Sequence, residues 1–124
     1  VFRKLSIPVL KVVSSPYCRC LDTAKLAFGK AVIDNDLRFA AGENRTETGR
    51  LVKRLREMLT TPPPTYSNIV LVSHTANLKE ATKIWPKPEG VVAVFKPLGE
   101  GGLAYFGLLS PSVWPKLVEP KDDQ

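Results

Sequence analysis

The 124 residues read as an α/β domain on a mainly parallel sheet with helices on both faces. Three observations predict that class. Apolar strand-like runs alternate with segments of helical period. Two of those runs end in small polar residues directly before a helix start, and the last two follow one another across a glycine-bearing loop. The order is thus β-α-β-α-β-α and then a hairpin, which is expected to extend one edge of the sheet antiparallel.

Residues 9–15 (Val-Leu-Lys-Val-Val-Ser-Ser) form the first expected strand. Residues 16–28 carry a short amphipathic helix with Leu21, Ala24, Ala27 and Phe28 inward, stopped by Gly29 as its C-cap. Residues 31–34 make a short second strand, and an irregular stretch runs on to Glu43. The clearest helix covers about 46–59, because Asn44 and Glu47 have the spacing of an N-cap and its capping-box partner. Leu51, Val52, Leu55, Met58 and Leu59 share one face of it, and Arg50, Lys53, Arg54, Arg56 and Glu57 lie away from that face.

Pro62-Pro63-Pro64 ends that helix in a stiff loop. Asn68-Ile69-Val70-Leu71-Val72-Ser73 then reads as a buried parallel strand, since its apolar residues run on without alternation. A helix is expected from Thr75 to Trp85-Pro86. Residues 91–96 and 103–109 form the hairpin, with Gly101-Gly102 in the turn. Residues 111–117 predict a turn of helix with Trp114 packed inward. The chain is one domain over 1–118 with a polar tail over 119–124, and it contains no internal repeat.

The chain is 44% hydrophobic, enough for a core at this length. Eighteen Lys and Arg against twelve Asp and Glu give +6, and the pI is near 9.5. Such a balance favours anionic partners: phosphorylated small molecules, nucleic acid or a membrane surface. No run of 18 apolar residues is present, so no membrane span is expected. The basic residues of the 46–59 helix read as a solvated outer face rather than a nucleic-acid patch, and no exposed aromatics interleave with them. Cys18 and Cys20 flank a single residue. A disulfide between them would be strained, and the pair offers too few ligands for structural zinc. They read as two free, partly buried thiols, with Cys18 alternatively bonded to a cysteine outside these residues. The chain starts at Val1 rather than Met, which suggests a processed or truncated N-terminus.

Two junctions carry chemistry. His74, the only histidine, sits where the 68–73 strand gives way to a helix. In open α/β sheets ligands bind at the carboxyl ends of strands, and a helix N-terminus there presents free N–H groups to an anion. Ser14-Ser15-Pro16-Tyr17-Cys18-Arg19 occupies the equivalent place after the first strand. Arg19 offers a planar fork of donors that matches phosphate oxygens. Its alternative is a surface ion pair with Asp22, as that of His74 is a hydrogen-bonded structural histidine.

The pattern Ser-Ser-Pro-Tyr-Cys-Arg-Cys-x-x-Thr-Ala followed by Val-Leu-Val-Ser-His resembles the second half of the histidine phosphatase (phosphoglycerate mutase-like) superfamily, and most of all its small bacterial phosphatases. Leu26-Ala27-Phe28-Gly29, Asp36-Leu37-Arg38-Phe39 and Phe95-Lys96-Pro97 before Gly101-Gly102 and Trp114 extend the likeness over essentially the whole chain. The resemblance implies a phosphomonoester hydrolase acting through phosphohistidine, with Arg19 clamping phosphate, His74 as the second catalytic histidine, and the Thr75 N–H on a phosphate oxygen. It implies no cofactor and no metal, and as substrate a phosphorylated small molecule or a phosphorylated side chain. Two alternatives stand beside it: a non-catalytic phosphate-binding module and a basic nucleic-acid-binding domain.

The family's Arg-His nucleophile motif is absent, and so is the strand before it. That first strand is normally central, so its loss is expected to leave an uncovered sheet through which copies could pair as a homo-oligomer. Asp36 and Glu43 lie where relatives often place a carboxylate and read here as solvated loop residues. Relatives of this branch are often exported; a periplasmic and a cytoplasmic setting both fit the residues.

Overall fold

The computed structural model describes residue 2 and residues 4–118, so the expected polar tail lies outside the described residues. The elements are β1 (Val9–Ser14), α1 (Cys18–Phe28), β2 (Val32–Ile33), 3-10 turns over Asn35–Leu37 and Ala40–Gly42, α2 (Arg45–Thr60), β3 (Asn68–Val72), α3 (Thr75–Thr82), β4 (Val92–Pro97), a 3-10 turn over Gly99–Gly101, β5 (Leu103–Leu109) and α4 (Trp114–Val118). The fold is mixed α/β. No described helix is long and apolar enough to cross a membrane.

The parallel sheet has three strands in the order β2-β1-β3. Val13 pairs with Val32 on one side and with Leu71 on the other, and Ser14 pairs with Ile33 and Val72. The chain steps from β1 to β2 and then back across β1 to β3. Parallel crossovers are right-handed as a rule, and with that hand the two steps, taken in opposite directions across the sheet, put α1 and α2 on opposite faces. The core lies on the α2 side, where Val13 meets Leu37, Leu55 and Ala81, ringed by Val52, Met58, Leu59 and Leu71. Val13 and Leu71 share that face because they are register partners.

Local signals set the helix ends. Asn44 Oδ1 accepts the Glu47 N–H at 2.9 Å, as an N-cap should. The reciprocal half of the capping box is not made, because the Glu47 carboxylate accepts from Arg38 and Arg50 instead. Gly29 adopts φ +76° and closes α1 with its N–H on the Lys25 carbonyl.

Four expectations are corrected. In α1 the buried stripe is Cys20 and Ala24, and Ala27 is exposed; the i, i+4 row through 20, 24 and 28 faces the sheet. α3 stops at Thr82, three residues short, because Lys83 turns left-handed at φ +65° and donates its N–H to Lys79. β3 is not buried: Asn68 and Ile69 are exposed and the rest only partly covered, as its place at the edge of the sheet requires. The hairpin does not extend the parallel sheet. Among the described residues β4 and β5 pair only with each other, and the hairpin is held instead through α2, which packs on β4 and on the turn that follows it. Trp114 is half-buried, its ring 5.1 Å from that of Phe2, which in turn meets Phe28 at 5.1 Å.

Candidate functional site

β1 and β3 are adjacent, and their outgoing connections lie side by side at the carboxyl edge of the sheet. The Ser15 N–H donates to the Val72 carbonyl at 2.8 Å, which carries the ladder one step past the end of β1. His74 is the N-cap of α3 in extended conformation and is buried. The two junctions of the sequence reading therefore meet in space.

The His74 ring is held at both nitrogens. Arg19 Nη2 lies 3.3 Å from Nδ1, and Ser15 Oγ lies 2.9 Å from Nε2. A guanidinium only donates, so Nδ1 must be the accepting nitrogen and the proton of the neutral ring sits on Nε2, given to Ser15 Oγ. Ser15 Oγ also accepts the Tyr17 N–H at 3.3 Å. Burial pushes the imidazole below its ordinary value of 6.5, and the Arg19 charge adds to that. His74 is accordingly neutral at pH 7, beside a permanent cation.

Aromatic rings and a thiol complete the surroundings. Tyr17 and Phe39 stand edge-on to the imidazole, with ring centroids at 4.8 and 5.7 Å. The Arg19 guanidinium carbon is 5.7 Å from the Tyr17 ring centre, a cation–π contact. Cys20 Sγ lies 3.9 Å from Nε2 and donates to the Ser73 carbonyl at 3.5 Å. Burial raises the Cys20 thiol, against the lowering pull of Ser15 and Arg19, so it is a neutral packing group rather than a thiolate. Cys18 is exposed, and both cysteines are free.

Arg19, His74 and Thr75 thus gather at one point. Thr75 opens α3, where first-turn N–H groups lack helical acceptors. Arg19 is exposed, and the ion pairs among the described residues involve Arg38, Arg50 and Arg54, not Arg19 with Asp22. Asp36 and Glu43 are not freely solvated. Glu43 pairs with Arg38 at 2.9 Å and Asp36 with Arg50 at 3.0 Å. Hydrogen bonds from Arg50 and then Arg38 hold the Glu47 carboxyl below its ordinary range. The basic face of α2 is in part consumed by these pairs and by Arg56 Nη1 donating to the Ala81 carbonyl. Among the described residues no group of three His, Cys, Asp or Glu is placed to hold a metal.

No family model matches the chain, and neither curated proteins nor solved structures give a match.

Sequence reasoning placed Ser15, Tyr17 and Cys20 in the junction motif without giving them a role, and it did not bring Phe39 to the site. Ser15 had a usable signal, a small polar residue at the end of a strand beside a proline. Phe39 had none, because an irregular segment gives no period from which to infer where its ring goes.

Proposed function

We propose that Arg19, His74 and the first-turn N–H groups of α3 form the phosphate-binding half of a phosphomonoesterase site of the histidine phosphatase type. The observation that carries the reading is the contact of Arg19 Nη2 with His74 Nδ1 at 3.3 Å, across two strand-to-helix junctions. The contact sets a permanent cation and a titratable nitrogen side by side at the start of a helix, a combination suited to an anion. A phosphoryl oxygen takes over the Arg19 donor, and its negative charge draws a proton onto Nδ1, which then donates to the same group. The resulting imidazolium lies between Ser15 Oγ and the anion, and charge neutralisation of this kind is what phosphoryl transfer requires of the protein.

In this reading the substrate is a phosphorylated small molecule or side chain. A nucleophilic histidine forms the N–P bond as the P–O bond to the leaving alcohol breaks, and water then releases phosphate. The chain has one histidine, so the nucleophile comes from a segment or copy outside these residues. Asp36 and Glu43, bound to arginines, are not the general acid. The same single histidine favours a second reading for the chain by itself, an anion-binding module without turnover. The phosphoglycerate mutase-like form of the fold is proposed on one further ground: β3 has the continuous apolar sequence of a central strand yet lies at an edge with Ile69 41% exposed. A strand added there, from another segment or a second copy, would cover it.

Inorganic phosphate titrated calorimetrically tests the reading. Arg19→Ala is expected to weaken binding by roughly tenfold or more, the scale of a lost charge-assisted hydrogen bond. Unchanged affinity in that variant contradicts it. A steep fall with salt over many phosphates, with affinity for duplex DNA, would point to nucleic acid instead. In a longer protein that also carries an Arg-His motif, His74→Ala is expected to abolish phosphatase turnover.

A further inference from the structure

We propose that Asn77 is the positioning residue of this site: its amide clamps the chain on both sides of Phe39 and thereby seats the Phe39 ring on His74. The proposal rests on the reading of His74 as the working group of the site.

Asn77 lies on α3 one turn after His74 and is 2% exposed. A buried amide is tolerated only when its donors and acceptor are matched, and here the partners belong to one segment. Oδ1 accepts the Ala40 N–H at 3.0 Å. Nδ2 donates to the Arg38 carbonyl at 2.8 Å, with the Leu37 carbonyl at 3.5 Å and Ser73 Oγ at 3.4 Å as longer contacts. Ser73 Oγ itself donates to the Leu37 carbonyl at 2.9 Å. The peptide groups of Arg38 and Ala40 flank Phe39, so one side chain fixes the backbone before and after that ring. The amide donates to one and accepts from the other at the same time, which neither a carboxylate nor an ammonium could do.

The consequence falls on His74. Phe39 reaches the imidazole from the side of this segment, at 5.7 Å between centroids, while Tyr17 reaches it from the start of α1. The charged and titratable groups around the ring are Arg19 and Cys20 from α1 and the Tyr17 phenol before it. On the clamped segment Arg38 is neutralised by Glu43 and Glu47 and lies 3.8 Å from Asp36. The Phe39 ring therefore contributes exclusion of water rather than charge, and exclusion of water strengthens the hydrogen bond His74 gives to an arriving anion. Core packing holds Leu37 in any case, as it is fully buried among Val13, Leu55 and Ala81. Arg38 is also tied to Glu43 and Glu47, and the Ala40 carbonyl accepts from Thr48 Oγ1 at 2.7 Å, but those contacts run to α2 and its approach, whereas Asn77 ties both flanks of Phe39 to the helix that His74 caps.

The chain has one histidine, so its imidazole ring signals in NMR are unambiguous. Their pH titration is to be followed in the unaltered chain, in Asn77→Ala, in Phe39→Ala and in the double variant. Asn77→Ala is expected to raise the His74 midpoint toward the ordinary histidine value by as much as Phe39→Ala does, with no further rise in the double variant. A lowered melting temperature with an unmoved midpoint would make Asn77 a structural residue only and overturn the proposal. Should Asn77→Ala fail to fold, the Ala40 amide of the unaltered chain decides. Slow hydrogen exchange there is required by the clamp, and exchange at the rate of an open loop contradicts it. A parallel titration with inorganic phosphate separates the two claims. If phosphate leaves the His74 signals unmoved, the phosphate-site reading fails, while the variant midpoints still judge Asn77.

Discussion

The parallel-sheet half and the hairpin half of this molecule are built from equally apolar sequence, yet they end in different states. Around β1, side chains from four elements close on Val13, and Leu37, Leu51 and Leu55 are almost wholly hidden. In β4 and β5 every residue is partly or fully exposed, and Phe106 shows 68% of its surface to solvent. The difference follows from what covers each sheet. β1 has a strand on both sides and helices on both faces. The hairpin is a two-stranded ribbon, which is marginal by itself, and it rests on α2. Apolar sequence makes a strand eligible for a core; neighbours decide whether it enters one. The candidate site grew on the covered half, where a rigid edge can hold Arg19, His74 and Ser15 to fixed distances.

The comparison breaks most readily at Leu55. Leu55→Ala is expected to cost about 2–5 kcal/mol of unfolding free energy, from lost burial and the cavity left beside Val13. Phe106→Ser on the hairpin is expected to change it by no more than about 0.5 kcal/mol. Urea unfolding of both variants measures the contrast, and equal costs would mean that the hairpin carries a core of its own.

A smaller effect sharpens the site's side of the comparison. The His74 imidazole titrates below its ordinary value in the fold, so the unfolded chain binds that proton more readily. Stability from this source is complete above about pH 6.5 and falls as pH drops through that value, levelling off below the folded midpoint. Melting temperature followed between about pH 7 and pH 5 should therefore fall less in His74→Gln than in the unaltered chain. An identical slope in the two proteins would mean that burial does not suppress the charge on His74.

Much of this was legible in the residues. The β-α-β order, the Asn44 cap and the Gly29 stop followed from local chemistry, and they hold. So did the meeting of Arg19 with His74, because a parallel sheet brings the ends of neighbouring strands together. What misled were statements about neighbours. The run Ile69-Val70-Leu71-Val72 reads as a buried parallel strand, and no local signal says that its outer edge has no partner among the described residues. Likewise Ala27 falls within the apolar arc of α1 but outside the stripe that the sheet covers. The roles of Phe39 and Asn77 were out of reach, since they depend on how an irregular segment docks on a helix some forty residues on.

Arg19 and His74 are proposed to bind phosphate together. NMR titration of the His74 ring with and without inorganic phosphate tests it most directly. The account predicts that phosphate raises the midpoint, because the bound anion replaces Arg19 at Nδ1 and favours the imidazolium, and that Arg19→Ala weakens this response. A midpoint indifferent to phosphate would make the pair a structural contact and would contradict the account.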